Sequence, residues 1–284
     1  MRMTNWTQLD DRSVLSVSGE DAAAFLHGLV TNDVEHMATG EARYAALLTP
    51  QGKILFDFFL YRAPAESGVA FLIDCPAIVA ADLLKRLGFY RLRAKASIAD
   101  VSADKAVVAC WAGQPDKIDG FAFADPRDAR LGFRAIAPRA AANALGPSRS
   151  QEYEAHRIAI GAPKGGVDFP YGDAFPHDAN MDLLHGVDFE KGCYVGQEVV
   201  SRMRHRGGVR KRIVKVKLAA LGPAAGAPIL AGETAIGALG SSAGAEGLAL
   251  LRLDRLADAV TNGRSLTADG IGVAVEKAAK KPVI

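Results

Sequence analysis

From Gly208 to the C-terminus no apolar run is long: each is cut after five to seven residues by a glycine-rich turn. Val214, Val216 and Leu218 alternate with Lys215 and Lys217, the pattern of a half-buried strand with a cationic outer face. Ala235–Leu239, Gly247–Leu253 and Ile271–Val275 read as further short strands between turns. Such a series predicts a small antiparallel barrel or sandwich. A boundary near Gly207-Gly208 therefore divides a larger domain, 1–207, from a C-terminal β-domain, 208–284.

The larger domain mixes both kinds of element. Val14–Val17 reads as a strand, and Ser18-Gly19-Glu20-Asp21 opens a helix that buries Ala22, Phe25, Leu26 and Leu29. Tyr44–Thr49 and Lys53–Tyr61, separated by Pro50-Gln51-Gly52, form a β-hairpin. A strand at Val69–Asp74, a helix at Pro76–Leu87, strands at Ala106–Cys110 and Leu131–Ile136, and a helix at Ser150–Ile160 follow. Pro163–Asn180, dense in Gly, Pro and Asp, is a long functional loop. Strand and helix runs without a βαβ rhythm indicate an α+β fold.

The charge balance hides an asymmetry. The chain has 34 Lys and Arg against 32 Asp and Glu, yet Val199–Gly232 contains no acid and eight cations. Those are Arg202, Arg204, Arg206, Arg210, Lys211, Arg212, Lys215 and Lys217; without them 26 bases face 32 acids, net −6. A mildly acidic body thus carries one basic segment. The start of the chain has no apolar h-region, and no run reaches the ~18 apolar residues that span a bilayer. A soluble cytoplasmic protein without membrane attachment is expected. Three cysteines without CxxC spacing argue against a disulfide framework. No HExxH, close Cys/His set or phosphate-binding glycine loop appears, so no resident metal is expected.

Cys75 and Cys110 end apolar runs and read as small core residues. Cys193 differs. It lies between Gly192 and Gly196, with Lys191 before it and arginines after it, where glycines permit close backbone approaches and cations favour thiolate. A glycine-bracketed turn whose cysteine merely packs is the equal alternative.

Lys191-Gly192-Cys193-Tyr194-Val195-Gly196-Gln197-Glu198 resembles the K-G-C-[FY]-x-G-Q-E signature of YgfZ-type folate-binding proteins, relatives of the glycine cleavage T-protein. Phe25–Val34 is similar to that family's F-L-x-G-x-x-T-N-D-V segment. Pro50-Gln51-Gly52-Lys53 resembles its P-x-G-K hairpin, Ile158–Pro163 its I-x-x-G-x-P, and Ala235–Gly240 its barrel. The resemblance implies intertwined subdomains around a central channel that binds tetrahydrofolate, plus a C-terminal antiparallel β-barrel. It also implies an accessory role in making or maintaining iron–sulfur enzymes, including tRNA-modifying ones, with Cys193 as the functional thiol and Lys191 beside it. Asp57 matches the family's acidic residue near the folate and would act as base or pterin hydrogen-bond acceptor. An outward-facing strand position is its alternative. Arg12 and Tyr153 stand where some relatives have tryptophans lining the folate site: Tyr153 would stack on a ring, and Arg12 would meet a glutamyl carboxylate. Asn180 and Asp178 belong to the loop that precedes the signature.

Two other functions compete with that role. One is a folate-dependent aminomethyl transferase. The other is a polyanion-binding module, for tRNA or a polyglutamyl tail, at Arg202, Arg204, Arg206, Arg210, Lys211 and Arg212, beside the mouth that presents Cys193. The expected partners are iron–sulfur client or assembly proteins, and the expected state is a monomer.

Overall fold

The structure, a computed structural model, describes residues 5–113, 118–206 and 208–276. Gly207, half of the expected boundary, and the side chain of Arg206 lie outside the described residues. In chain order the first elements are β1 (Asn5–Gln8), β2 (Arg12–Ser18), α1 (Ala22–His27), β3 (Ala42–Leu48), β4 (Ile54–Arg62), β5 (Phe71–Pro76) and α2 (Ala77–Arg91). Then come β6 (Ser97–Asp100), β7 (Lys105–Trp111), β8 (Phe121–Ala124), β9 (Phe133–Pro138), α3 (Arg139–Asn143), α4 (Ser150–Ile160) and α5 (Gln197–Arg206). The last are β10 (Lys211–Leu218), β11 (Pro228–Ala231), β12 (Thr234–Ala243), β13 (Glu246–Arg252), α6 (Leu253–Thr261), β14 (Leu266–Ala268) and β15 (Ile271–Val275).

The chain forms two compact units. The first is Met1–Tyr153 with Asp182–Val199; the second is Glu154–Met181 with Val200–Ile284. In the first unit a five-stranded sheet, ordered β3-β4-β5-β2-β6, packs against a four-stranded sheet, ordered β1-β7-β9-β8. Leu9, Val14, Tyr61, Leu72, Val107, Trp111 and Ile136 fill the space between them. The far face of the five-stranded sheet is covered by α1 and α2, through Leu26, Leu83 and Leu87 against Phe58, Leu60 and Ile73. A sheet covered on both faces loses the alternation of apolar and polar residues. This is why β4 reads as one apolar run and why Asp57 within it is buried rather than solvated.

In the second unit β10-β13-β12-β11-β14-β15 close into an antiparallel barrel around Val216, Leu218, Ile229, Ile236, Leu251 and Val273. The barrel also carries α6, where the sequence suggested strands and turns alone; Leu253, Leu256 and Val260 recur there at helical spacing, with Asp254 in the first turn. The loop 161–181 contains no helix or strand and is tied down by a buried cluster. Arg157 Nη1 donates to Asp168 Oδ2 (3.0 Å) and Nη2 to Ser241 Oγ (2.5 Å), while the other Asp168 oxygen accepts from the Ser241 N–H (2.6 Å). A Cβ on Gly240 would lie 2.3 Å from Asp168 Oδ1, so that strand position must be glycine for the loop to dock.

Candidate functional site

Cys193 is exposed, and Cys75 and Cys110 are buried. Burial pushes the Cys75 thiol up to about 12, leaving it unreactive at neutral pH. The loop that presents Cys193 has no regular structure of its own; side chains from the α1–β3 connection hold it in place. Thr31 Oγ1 donates to the Gly186 carbonyl (2.6 Å) and accepts from the Ala46 N–H (2.9 Å). Asn32 Nδ2 donates to the carbonyls of Tyr44 (2.8 Å) and His185 (2.7 Å). The Asp188 N–H donates to the Thr31 carbonyl (2.9 Å), and the Asp188 carboxylate accepts from the N–H groups of Glu190 and Lys191 (2.8 and 3.1 Å). The Thr31-Asn32-Asp33 segment is thus a bracket between strand β3 and the cysteine loop.

Lys191 does not activate the thiol by hydrogen bonding. Its ammonium donates to the carbonyls of His27 (2.6 Å), Val30 (2.7 Å) and Asn32 (3.0 Å), which uses all three of its N–H bonds. These carbonyls lie at and just beyond the C-terminal end of α1, where orphan acceptors and the helix dipole favour a cation. Burial draws the ammonium down to about 8, against the pull of Asp33 and Asp188. On the other side of Cys193, Gly196 has φ +84°, and a Cβ there would lie 2.6 Å from the Thr49 carbonyl and 3.1 Å from Gly52 Cα. The glycines of the P-Q-G-K turn and of the cysteine segment therefore meet backbone to backbone. Cys193 is held between two anchors, the Lys191 ammonium and a glycine contact at Gly196.

Asp57 is buried on β4 and accepts from the Tyr44 phenol (2.9 Å). Burial, reinforced by Asp57, raises that phenol well above its ordinary range, so Tyr44 keeps the proton it donates. Around the neighbouring Phe59 ring stand three guanidinium groups, of Arg134 (4.3 Å), Arg127 (4.8 Å) and Arg12 (5.6 Å). Arg12 and Arg134 share Asp74, at 2.5 and 2.6 Å, and Arg127 grips both oxygens of Asp125 at 3.0 and 2.8 Å. Burial alone would lower the Arg12 value, but Asp74 and Asp57 more than reverse this. Two buried arginines and the partly buried Arg12 stand among three buried carboxylates, Asp57, Asp74 and Asp125. Sequence reasoning overlooked Arg127, Arg134, Asp74 and Asp125. The signal was there: Asp74 and Arg134 each interrupt an apolar run expected to be a strand.

The residues expected to hold tetrahydrofolate fit that role unevenly. Arg12 spends its guanidinium on the Asp74 carboxylate and carbonyl. Tyr153 is a core residue beside Trp111, its hydroxyl accepting from Arg134 Nη1 (3.2 Å). Asn180 donates to the Ile213 carbonyl (2.8 Å) and accepts from Arg212 (3.2 Å), and Asp178 accepts from the Phe175 N–H (3.0 Å). These four side chains do not fit as direct folate contacts. Asp57, a desolvated carboxylate, has the chemistry that the N–H edge of a pterin requires.

The basic segment is less unopposed than its sequence. Lys211 pairs with Asp173 (3.6 Å), and Lys215 and Lys217 with Glu276 (3.0 and 3.8 Å); Arg212 donates to the His177 carbonyl (3.1 Å). Arg202, Arg204 and Arg210 are exposed. These cations belong to the second unit and Cys193 to the first. Among the described residues no three His, Cys, Asp or Glu side chains gather as a metal site, and no helix is long and apolar enough to cross a membrane.

Comparison with known proteins adds to this geometry. Residues 9–112 match the GCVT N-terminal domain, and residues 210–282 match the CAF17, C-terminal beta-barrel domain. The solved glycine cleavage system aminomethyltransferase T of Bartonella henselae superposes with a TM-score of 0.73 over 98% of this chain and 86% of its own, at 18% identity. That likeness is one of fold. The iron–sulfur cluster assembly factor IBA57 of Mus musculus, named mitochondrial, is 34% identical over 88% of this chain and 79% of its own length. The IBA57 homolog of Mycosarcoma maydis, also mitochondrial by name, is 37% identical over 72% of this chain; the match spans 54% of that longer protein. The cytoplasmic expectation is overturned by these relatives. An apolar h-region marks secretory signals and has no bearing on mitochondrial leaders, which are amphipathic and Arg-rich. With a shared identity of that depth across nearly the whole fold, the chain belongs to the family of the iron–sulfur cluster assembly factor IBA57.

Proposed function

We propose that this protein works in the assembly or maintenance of iron–sulfur enzymes and that Cys193 is the thiol through which it meets a client or assembly protein. The observation that carries the proposal is the contrast among the cysteines. Two are sealed in the first unit's core, while Cys193 is displayed on a loop anchored at Lys191 and Gly196. A thiol that merely filled space would need neither exposure nor a cradle. In cells lacking the endogenous protein, the Cys193→Ala variant should fail to restore iron–sulfur enzyme activity, including that of an iron–sulfur tRNA-modifying enzyme. Full restoration by a stably expressed variant would remove the cysteine from the mechanism.

Tetrahydrofolate binding is the second element of the proposal. The GCVT-domain match and the buried Asp57–Tyr44 pair support it, with contacts other than Arg12, Tyr153, Asn180 and Asp178. Titration of tetrahydrofolate and its polyglutamates should give micromolar or tighter binding that Asp57→Asn weakens at least about tenfold, as expected for losing a charge-assisted pair. The aminomethyltransferase-like fold favours one further reading, one-carbon transfer, for which formation of methylene-tetrahydrofolate from an aminomethyl donor is the deciding observation. The exposed Arg202, Arg204 and Arg210 favour polyanion contact, which would show as salt-sensitive tRNA binding lost on their replacement by Ala.

A further inference from the structure

Helix α2 buries Ala80, Leu83 and Leu87 against its sheet, and its opposite side carries large apolar side chains among the charged ones. Ile78, Phe89 and Leu92 are 88%, 72% and 84% exposed. A spacing of eleven residues sets Ile78 and Phe89 on one helical face, with Asp82 and Lys85 between them, and Leu92 lies just past the helix end. Phe89 and Tyr90 meet edge-on with ring centroids 6.0 Å apart. Leu92 ends the helix at φ +45°, a backbone conformation that a bulky side chain rarely adopts. Lys85, Arg86, Arg91 and Arg93 are exposed along the same stretch, Lys95 pairs with Glu20, and the sequence has no acid between Asp82 and Asp100. The acidic body therefore carries a second basic segment, and this one has an apolar centre.

We infer that the outer face of α2 docks a partner protein whose surface combines an acidic rim with an apolar recess for Phe89 and Leu92. Aromatic and arginine side chains are enriched at protein interfaces, and a few anchors in a desolvated centre suffice there. Charge complementarity selects an acidic partner. An anionic bilayer would meet the same cations, but two anchors at the end of a helix fixed to a sheet offer little of the apolar area that interfacial helices insert.

The test uses the full chain in cells, with the photocrosslinker p-benzoylphenylalanine in place of Phe89, and in place of Leu221, another exposed apolar residue, as control. The expected result is a protein adduct at position 89 alone, mapped by mass spectrometry to a peptide rich in Asp and Glu. Its yield should fall about tenfold when Arg86, Arg91 and Arg93 are changed to Glu, and by a similar factor between low and high salt with the purified pair. The unfolding temperature of the charge variant should stay within about 2 °C, since these side chains are exposed. An adduct with phospholipid or with another copy of the chain would overturn the inference. So would an adduct indifferent to the three substitutions, or a yield no greater than at the control position.

Discussion

Replacing Lys191 by Met separates a structural ion from a chemical one. The substitution keeps most of the apolar stem and removes the ammonium, so the carbonyls of His27, Val30 and Asn32 lose a shared donor. A hydrogen bond to a charged group contributes about 1.5–3 kcal/mol net, and three such bonds to one ion do not add fully. The ion's own burial cost, visible in its lowered value of about 8, offsets part of the sum. A loss of about 3 kcal/mol is expected, which corresponds to a fall of about 6–12 °C in unfolding temperature for a body of this size. Thermal unfolding followed by near-UV circular dichroism measures it. Iodoacetamide labelling of Cys193 at neutral pH, run in parallel, should hold its rate or quicken as the loop loosens. Lys191→Arg should not rescue stability, because a planar guanidinium cannot converge on three carbonyls as an ammonium does. A temperature change under about 1 °C would refute the anchoring role. A tenfold drop in labelling would do so from the other side, by showing that the ammonium sustains the thiolate.

Gly196→Ala and Gly40→Ala form a matched pair, since both glycines have φ near +84° but only the first has backbone within reach of a new Cβ. Gly40→Ala should cost about 1 kcal/mol from strain alone, and Gly196→Ala about 3 kcal/mol or more, read as urea midpoints. Equal costs would deny the Gly196–Gly52 contact its importance. For Asp125, burial raises the carboxyl but Arg127 and Arg134 outweigh it and hold it below the ordinary range. The unfolded chain therefore takes up the proton first, and the ion pair's contribution is complete above pH ~4 and is lost as pH falls through the folded value. Asp125→Asn should cost about 3–5 kcal/mol at pH 7, with the difference from wild type shrinking in acid. A gap that stays constant down to pH 3 would contradict the pairing.

Local pattern was enough for much of the fold. The hairpin at β3 and β4, the helix α4 and the strand β15 fall where apolar spacing and turn residues put them. The cysteine segment was also legible, because glycines and a lysine in one short stretch announce an unusual backbone. Lys191 carried a different meaning from the one its neighbours suggested. Nothing near it in sequence reveals acceptors about 160 residues away at the end of α1. Asp57 was ambiguous for a related reason: alternation distinguishes inside from outside only when one face of a sheet meets water, and β4 has protein on both. The guanidinium groups around Phe59 come from β2, β9 and the turn after β8, so only the folded chain assembles them.

The two units interleave along the chain: residues 154–181 leave the first unit, 182–199 return to it, and the remainder belongs to the second. During synthesis the first unit cannot close around its cysteine loop until residue 199 has emerged, by which time the opening stretch of the second unit is already out and has no barrel to join. Contacts at such separations form late and slowly. In a nascent chain the Asp168 loop therefore waits for Gly240 and Ser241 after every residue that anchors Cys193 has been made. Cutting the chain at residue 208 would not release an intact barrel unit, because Arg157 and Asp168, which dock on Gly240 and Ser241, would remain on the other fragment.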